Sequence, residues 1–300
     1  MKFTIEQFNA KYPDEETCLE EIFQNRYWTL TECPKCYKKV DVEHNQGFYR
    51  VADRKCYACQ WCGFQIHPLA DTIFHKSETT LKKWFYAIWL FSNSKNGVSA
   101  KELERQLGVT YKTAWRIAKQ IRLLFVQTQT QLRGTVEVDE TFIGGSESNK
   151  HDSDKQTGHQ GMNTKTKTTV LGMLERDGRV LAQVVGDAKD STVKPILRRN
   201  VKIGTKIMTD EWKGYTKLNK IGYKHKRVNH HAKQYVIGDA HTNSIEGFWS
   251  QLKRSVNGTY HAVSPKHLQS YVNEFAYRYS KRNSEQPLFF PMMKEAGRPV

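Results

Sequence analysis

The amino-acid sequence predicts a multidomain α+β protein, and three observations carry that reading. Residues from Thr31 to about Pro68 form short strand-like pieces punctuated by cysteine. Residues from Thr80 to about Leu132 keep a helical periodicity throughout. From Thr135 onward, strand-like runs alternate with helices. Ahead of these, residues 1–28 read as a helical lead. Pro13-Asp14-Glu15-Glu16 suits a helix start, and Cys18, Leu19, Ile22, Phe23 and Arg26 recur at helical spacing. The expected organisation is a helical lead (1–28), a cysteine module (29–76), a helical region (77–132) and a larger α/β domain (133–300). A polar run from Ser146 to Thr168, nearly devoid of apolar residues, is expected to be a mobile loop (146–168) in that last domain.

The 300 residues include 14 Tyr, 14 Phe and 7 Trp, enough large side chains to build cores without disulfide staples. Lys and Arg total 47 against 31 Asp and Glu, a formal charge of +16. That excess favours polyanions, nucleic acid above all, although a basic enzyme surface would give the same sign. No apolar run approaches a membrane span, and the first ten residues lack a basic segment followed by an apolar one. The expected location is therefore cytoplasmic, with the nucleoid, and no membrane partner is expected. Six cysteines in such a chain point to metal ligands rather than disulfides.

Cys33-Pro34-Lys35-Cys36 and Cys59-Gln60-Trp61-Cys62 form a CxxC…CxxC pair spaced by residues 37–58. Two such knuckles can surround one structural Zn²⁺ with four thiolates, and the metal then replaces a hydrophobic core: a zinc ribbon. Gly63 suits the tight turn after the second pair. Cys56-Tyr57-Ala58-Cys59 is also CxxC, which leaves open whether Cys56 replaces Cys59 or Cys62. A redox dithiol is the other use of such pairs, but no thioredoxin-like pattern surrounds them. Cys18 falls on the apolar face of its helix and belongs to the core.

Ser99-Ala100-Lys101-Glu102 reads as a capping box, Leu103 and Leu107 face inward, and Gly108 ends the helix. Thr110 opens a second helix with Ala114, Ile117, Ala118 and Ile121 inside. Lys112, Thr113, Arg116, Lys119 and Arg122 are left on its outer side as candidate DNA contacts. Two helices around a tight turn with a basic second helix match a helix-turn-helix, though a plain helical hairpin has the same pattern. Leu81, Trp84, Phe85, Ile88 and Trp89 supply its supporting core.

In the C-terminal half, Thr135 to Phe142 reads as a strand ending at Gly144-Gly145. Alternation places Thr135, Glu137, Asp139 and Thr141 on one face and Val136, Val138 and Phe142 on the other. A second strand, Lys206 to Thr209, ends at Asp210. A helix begins near Asn243, with Ile245, Phe248, Trp249, Leu252 and Val256 as its buried stripe. Glu246 lies off that stripe, on the side shared by Ser250 and Lys253. Three carboxylates on two strand ends and a helix repel one another unless hard divalent cations join them. Mg²⁺ or Mn²⁺ fits such oxygen donors, and two such ions promote in-line phosphoryl displacement.

These segments resemble insertion-sequence transposases of the ISXO-like group. The likeness runs through Cys33–Cys36, Cys59–Ser77, Leu81–Phe85, Ser99–Arg122, Glu137–Gly145, Thr209–Tyr215, His241–Arg254 and Gly258–Arg282. It implies a zinc ribbon and helix-turn-helix joined to an RNase H-like DDE catalytic domain with a mixed sheet. It also implies that Asp139, Asp210 and Glu246 are the catalytic triad and hold two Mg²⁺ (or Mn²⁺). Lys253 is then the basic residue after the Glu, and Arg254 a further DNA contact. Some subgroups place Asn in the third acidic position; Glu246 stands there in this chain, with Asn243 as a candidate auxiliary ligand. Asp71 departs from the glycine usual in the group. The implied activity is cleavage of element ends followed by transfer of the freed 3′-hydroxyl into target DNA. The partners implied are double-stranded DNA, as terminal inverted repeats and target, and further copies of the chain in a homodimer or larger assembly. A domesticated DNA-binding regulator and a hydrolytic nuclease are the rival readings. Lys165, Lys167, Arg227, His230, His231 and Lys233 are further basic positions in loops or strand edges.

Overall fold

The computed structural model describes residues 3–44, 46–125, 127, 130–145, 167–210, 215, 217–228 and 241–299. They form two compact units, one of residues 1–124 with 284–300 and one of residues 125–283. The expected mobile loop lies outside the described residues apart from Lys167 and Thr168, and Thr168 already belongs to a strand.

The first unit begins with α1 (Ile5–Lys11) and α2 (Glu15–Tyr27). Thr4 and Gln7 form a reciprocal capping box on α1, and Asp14 caps α2 by accepting from Thr17 N at 2.8 Å. Strands β1 (Phe48–Arg50), β2 (Tyr57–Cys59) and β3 (Gln65–Ile66) make an antiparallel sheet in that order. Helices α3 (Leu81–Asn93), α4 (Ala100–Leu107) and α5 (Tyr111–Arg122) follow. Asp71 adopts φ +58°, the left-handed conformation that glycine takes most easily. Here its backbone N–H donates to His75 Nδ1 at 2.8 Å, a local bond that holds the turn.

The chain's last helix also belongs to this unit. It is α9 (Phe289–Ala296) by chain order, and its Phe289 ring packs against Phe3, Phe8, Tyr12 and Phe85. The domain expected to run from 133 to 300 therefore closes at Asn283. Periodicity along the chain cannot reveal which distant apolar face a short C-terminal helix will cover.

The second unit is a five-stranded sheet of β4 (Thr135–Ile143), β5 (Thr168–Glu175), β6 (Val180–Val185), β7 (Lys206–Thr209) and β8 (Lys224–Arg227). Their order is β6-β5-β4-β7-β8; the first three pair antiparallel, and β7 and β8 run parallel to β4. The sheet is therefore mixed. Helix α6 (Asp190–Asn200) supplies Val193 and Leu197 to a core with Val136, Val138, Leu171, Met173 and Ile207. Helices α7 (Asn243–Ser255) and α8 (Pro265–Ser280) build a second core with Val170, Leu174, Ile245, Phe248, Trp249 and Phe275. The period-two alternation of β4 and β5 thus feeds one residue set to each side of the sheet.

Glu137 fixes α7 to β4. Its carboxylate is fully buried and accepts from the backbone N–H groups of Ser244 and Ile245 at 2.9 and 3.0 Å, closing the first turn of α7. Arg176 Nε donates to its other oxygen at 2.8 Å, and Arg176 Nη2 reaches His241 O at 2.8 Å. His241 Nδ1 lies 3.3 Å from the same carboxylate but is not aligned for a hydrogen bond. Replacing Glu137 with Ala leaves Arg176 and two helix amides without their acceptor. We expect it to cost about 3 kcal/mol of stability, read as a lower denaturant midpoint; a loss under about 0.5 kcal/mol, the range of an ordinary surface substitution, would rule the clasp out.

Candidate metal and nucleic-acid sites

The two cysteine knuckles share one local geometry. Tyr37 N donates to Cys33 O at 3.0 Å and Gly63 N to Cys59 O at 2.9 Å, and both donors have positive φ, +57° and +69°. Each turn brings its two sulfurs to one side. The ligating atoms of Cys33, Cys36, Cys59 and Cys62 all lie within 4.8 Å of one another, with Cys33–Cys62 at 3.7 Å and Cys36–Cys59 at 3.8 Å. Cys56 is buried and is not a member of this group. Four thiolates cannot share this space uncompensated. Burial raises the Cys33 thiol, but the N–H groups of Cys36 and Lys35 outweigh it and draw it down to about 6. Cys62 is favoured as thiolate by the Phe64 N–H, yet burial and its three sulfur neighbours push it up to about 12. A soft-ligand tetrad of this kind fits Zn²⁺.

On α4, Ser99 accepts from Glu102 N at 3.1 Å, but the Glu102 carboxylate turns to Arg105 and Gln106, so only half of the expected capping box forms. Gly108 ends α4 at φ +58°, and Thr110 caps α5. Lys112 and Lys119 lie on the exposed side of α5, joined by Tyr111 and Trp115. Lys119 stands 5.6 Å from the Trp115 ring and Lys101 4.9 Å from the Tyr111 ring. Thr113 and Arg116 line a groove of about 430 Å³ with Lys76 and Lys83, and Arg116 donates to His75 O at 3.2 Å. Arg122 corrects the sequence reading. It is only 5% exposed, with its guanidinium 5.3 Å from the Phe91 ring and donating to Val98 O. One turn beyond Ala118, it falls on the inner stripe and supports the helix pair from within.

The carboxylates gather on β4 and β7. Asp139 is not a strand terminus, because β4 continues its ladder with β5 to Ile143. Pairing with β7 stops at Glu137–Met208, however, and extending that register by two residues sets Asp139 beside Asp210. Burial, then Glu140, then Asp210 push the Asp139 carboxyl up to about 7, against a Trp249 N–H bond that lowers it. Burial likewise raises Glu140 to about 7; the Tyr215 hydroxyl, which donates to it, opposes this, and Asp210 adds to it. Asp139 and Glu140 point to opposite faces of β4, Asp139 toward α7 and Glu140 toward the α6 side.

Glu246 is exposed on α7 and accepts from Thr242 Oγ1 at 2.9 Å. Lys253 and Arg254 are also exposed, and Arg254 Nε donates to Ser250 O at 3.3 Å. Asn243 is the first residue of α7 and is exposed. Among the described residues, the cysteines form the one group of three or more ligating side chains within 4.8 Å, so the three carboxylates stand farther apart than a single-ion cage. Of the other basic positions, Lys165, His230, His231 and Lys233 lie outside the described residues, and Arg227 is exposed at the end of β8. The sequence reading gave no role to Glu137, Glu140, Tyr111 or Trp115, and placed Trp249 only in the core. Glu137 was signalled by its place two residues from Asp139 on the same face. Tyr111 and Trp115 were signalled by their spacing off the apolar stripe.

Among the described residues, no helix is long and apolar enough to cross a membrane. Residues 131–280 match the family model of the ISXO2-like transposase domain. The chain is 25% identical over 264 residues to an uncharacterised protein in transposable element ISH50 of Halobacterium salinarum, covering 85% of this chain and 87% of that one. It is 28% identical over 107 residues to an uncharacterised transposase-like protein of Haemophilus influenzae, covering 36% of this chain and 84% of the other. The chain belongs to the ISXO2-like transposases.

Proposed function

We propose that this chain cleaves the ends of an insertion element and joins them to target DNA, with Asp139, Asp210 and Glu246 holding two divalent ions in an RNase H-like catalytic domain. The observation that carries the reading is that Asp139 on β4 comes beside Asp210, which follows β7, when the β4–β7 register is extended, and that Asp210 disfavours the charge of Asp139. The mixed sheet agrees with that fold. The donor set fits Mg²⁺ or Mn²⁺: all are carboxylate oxygens, and a cation relieves their repulsion. Two ions ~3.5–4 Å apart are served by carboxylates spread more widely than one ion requires. Bound there, divalent ions supply Lewis acidity to the attacking and leaving oxygens of a phosphodiester. Helix α7 presents Glu246 from the side on which Asp139 points, and Lys253, about two turns further along, serves as a phosphate contact. The cysteine tetrad holds a structural Zn²⁺.

Lys112, Lys119, Thr113 and Arg116 are the proposed DNA contacts of the helix-turn-helix, with Tyr111 and Trp115 beside them, and Arg254 is one on α7. Two ends must be cut, so the working form is a homodimer or larger assembly on double-stranded DNA.

Labelled element-end DNA with Mg²⁺ and a plasmid target tests the activity. Joined products are expected; nicks alone would make the chain a nuclease, and binding alone a regulator. Asp210→Asn should lower cleavage and joining at least ~10³-fold with DNA affinity unchanged, and surviving activity would refute the metal assignment. Removing zinc with a chelator, or changing Cys36 to Ser, should unfold the ribbon and be visible as lost dispersion in NMR spectra, whereas Cys56→Ser should retain one zinc per chain. Lys119→Ala should weaken DNA binding and flatten its salt dependence by about one charge. Arg122→Ala should instead lower the melting temperature, and a purely DNA-binding defect there would contradict its buried position.

A further inference from the structure

Asp139 receives a hydrogen bond from the helix that carries Glu246. Trp249 Nε1 donates to Asp139 Oδ2 at 3.0 Å, and among the described residues it is the one side-chain donor to that carboxylate. The indole is nearly fully buried and packs over Gly172 of β5. Gly172 makes this possible. It faces Asp139 across the β4–β5 ladder, and a Cβ at Gly172 would stand 2.5 Å from Trp249 Cζ2 and 2.7 Å from Cη2. Any larger residue would lift the ring and withdraw its N–H.

We propose that Trp249 is a positioning residue for Asp139: seated over Gly172, its indole N–H fixes the carboxylate orientation in which Asp139 takes up a divalent ion. This deepens the function proposed above and rests on it. Three elements meet in the device, with the acceptor on β4, the notch on β5 and the donor on α7. Trp249 lies three residues after Glu246, on the neighbouring turn of the helix. Glu137, two residues before Asp139 on the same face of β4, binds the first amides of that helix. The strand therefore grips α7 at its start through Glu137 and one turn later through Asp139. Outer hydrogen bonds of this type orient metal-binding carboxylates and typically change metal affinity 10–100-fold when removed. The plain alternative is a core tryptophan whose N–H is merely satisfied by a nearby acceptor. In that case its loss changes stability and leaves ion binding alone.

The two are separated by Mn²⁺ titration of the full zinc-loaded chain without DNA, with free Mn²⁺ read by electron paramagnetic resonance and folding by thermal melting. Trp249→Phe keeps the ring and removes the N–H. Gly172→Ala keeps the N–H and displaces it. Each folded variant should bind Mn²⁺ about tenfold or more weakly, with the Mg²⁺ half-saturation of end cleavage raised in proportion and DNA affinity unchanged. Wild-type Mn²⁺ affinity in a folded Trp249→Phe overturns the proposal. If that variant does not fold, Gly172→Ala decides in the same way, and failure of both to fold also overturns it, since the contact is then structural. Asp139→Asn is the control: if it binds Mn²⁺ like the wild type, the metal-site reading itself fails, independently of Trp249.

Discussion

A fully buried carboxylate is unfavourable unless its charge is met on all sides, and the second unit is organised around meeting it at Glu137. The guanidinium of Arg176 answers one oxygen and the opening amides of α7 the other. Because the donors come from the turn after β5 and from the start of α7, satisfying one group sets the position of a helix against a strand to within a hydrogen bond's tolerance. Everything chemical that α7 carries, including Glu246, Trp249 and Lys253, inherits its placement from that bond set. The neighbouring Asp139 is met by the Trp249 N–H, yet burial, Glu140 and Asp210 still raise its carboxyl. Its surroundings resist its charge, which agrees with its proposed part in holding an ion.

Much of this was legible in the sequence because local rules and tertiary structure agree. β4 begins at Thr135, α7 at Asn243, and the stripe Ile245, Phe248, Trp249, Leu252 and Val256 is buried as its spacing requires. The cysteine spacing located the tetrad, since a knuckle is built from a few consecutive residues. What escaped was set by contacts between distant segments. No feature near Phe289 announces that its ring fits among Phe3, Phe8, Tyr12 and Phe85. Arg122 was misplaced because a charged residue at the edge of an apolar stripe goes either way. Here the Phe91 face and the Val98 carbonyl receive it. The hydrogen bond from Trp249 to Asp139 was invisible because a periodic pattern says which way a ring faces and nothing about where its N–H ends.

The cysteine tetrad and the proposed carboxylate site bring like charges together in opposite ways. In the tetrad, turn geometry alone packs four sulfurs within reach of one ion, and backbone N–H groups already favour the first thiolate. Around Asp139, the acids come from separate strands and a helix. Their spacing depends on sheet register and helix docking, so it is more open to adjustment. A closed, preformed cage suits a permanent ion, and an open, wider arrangement suits ions that share coordination with a substrate phosphate.

The position of α9 has a consequence for how the chain matures. Earlier residues emerge first during synthesis, so the aromatic cluster around Phe3, Phe8 and Tyr12 lacks Phe289 until the whole of the second unit has been made. The first unit is therefore begun before the second and completed after it. A ribosome that stops short would release a protein whose second unit is whole and whose first keeps a greasy cleft open to water, a natural target for chaperones and proteases.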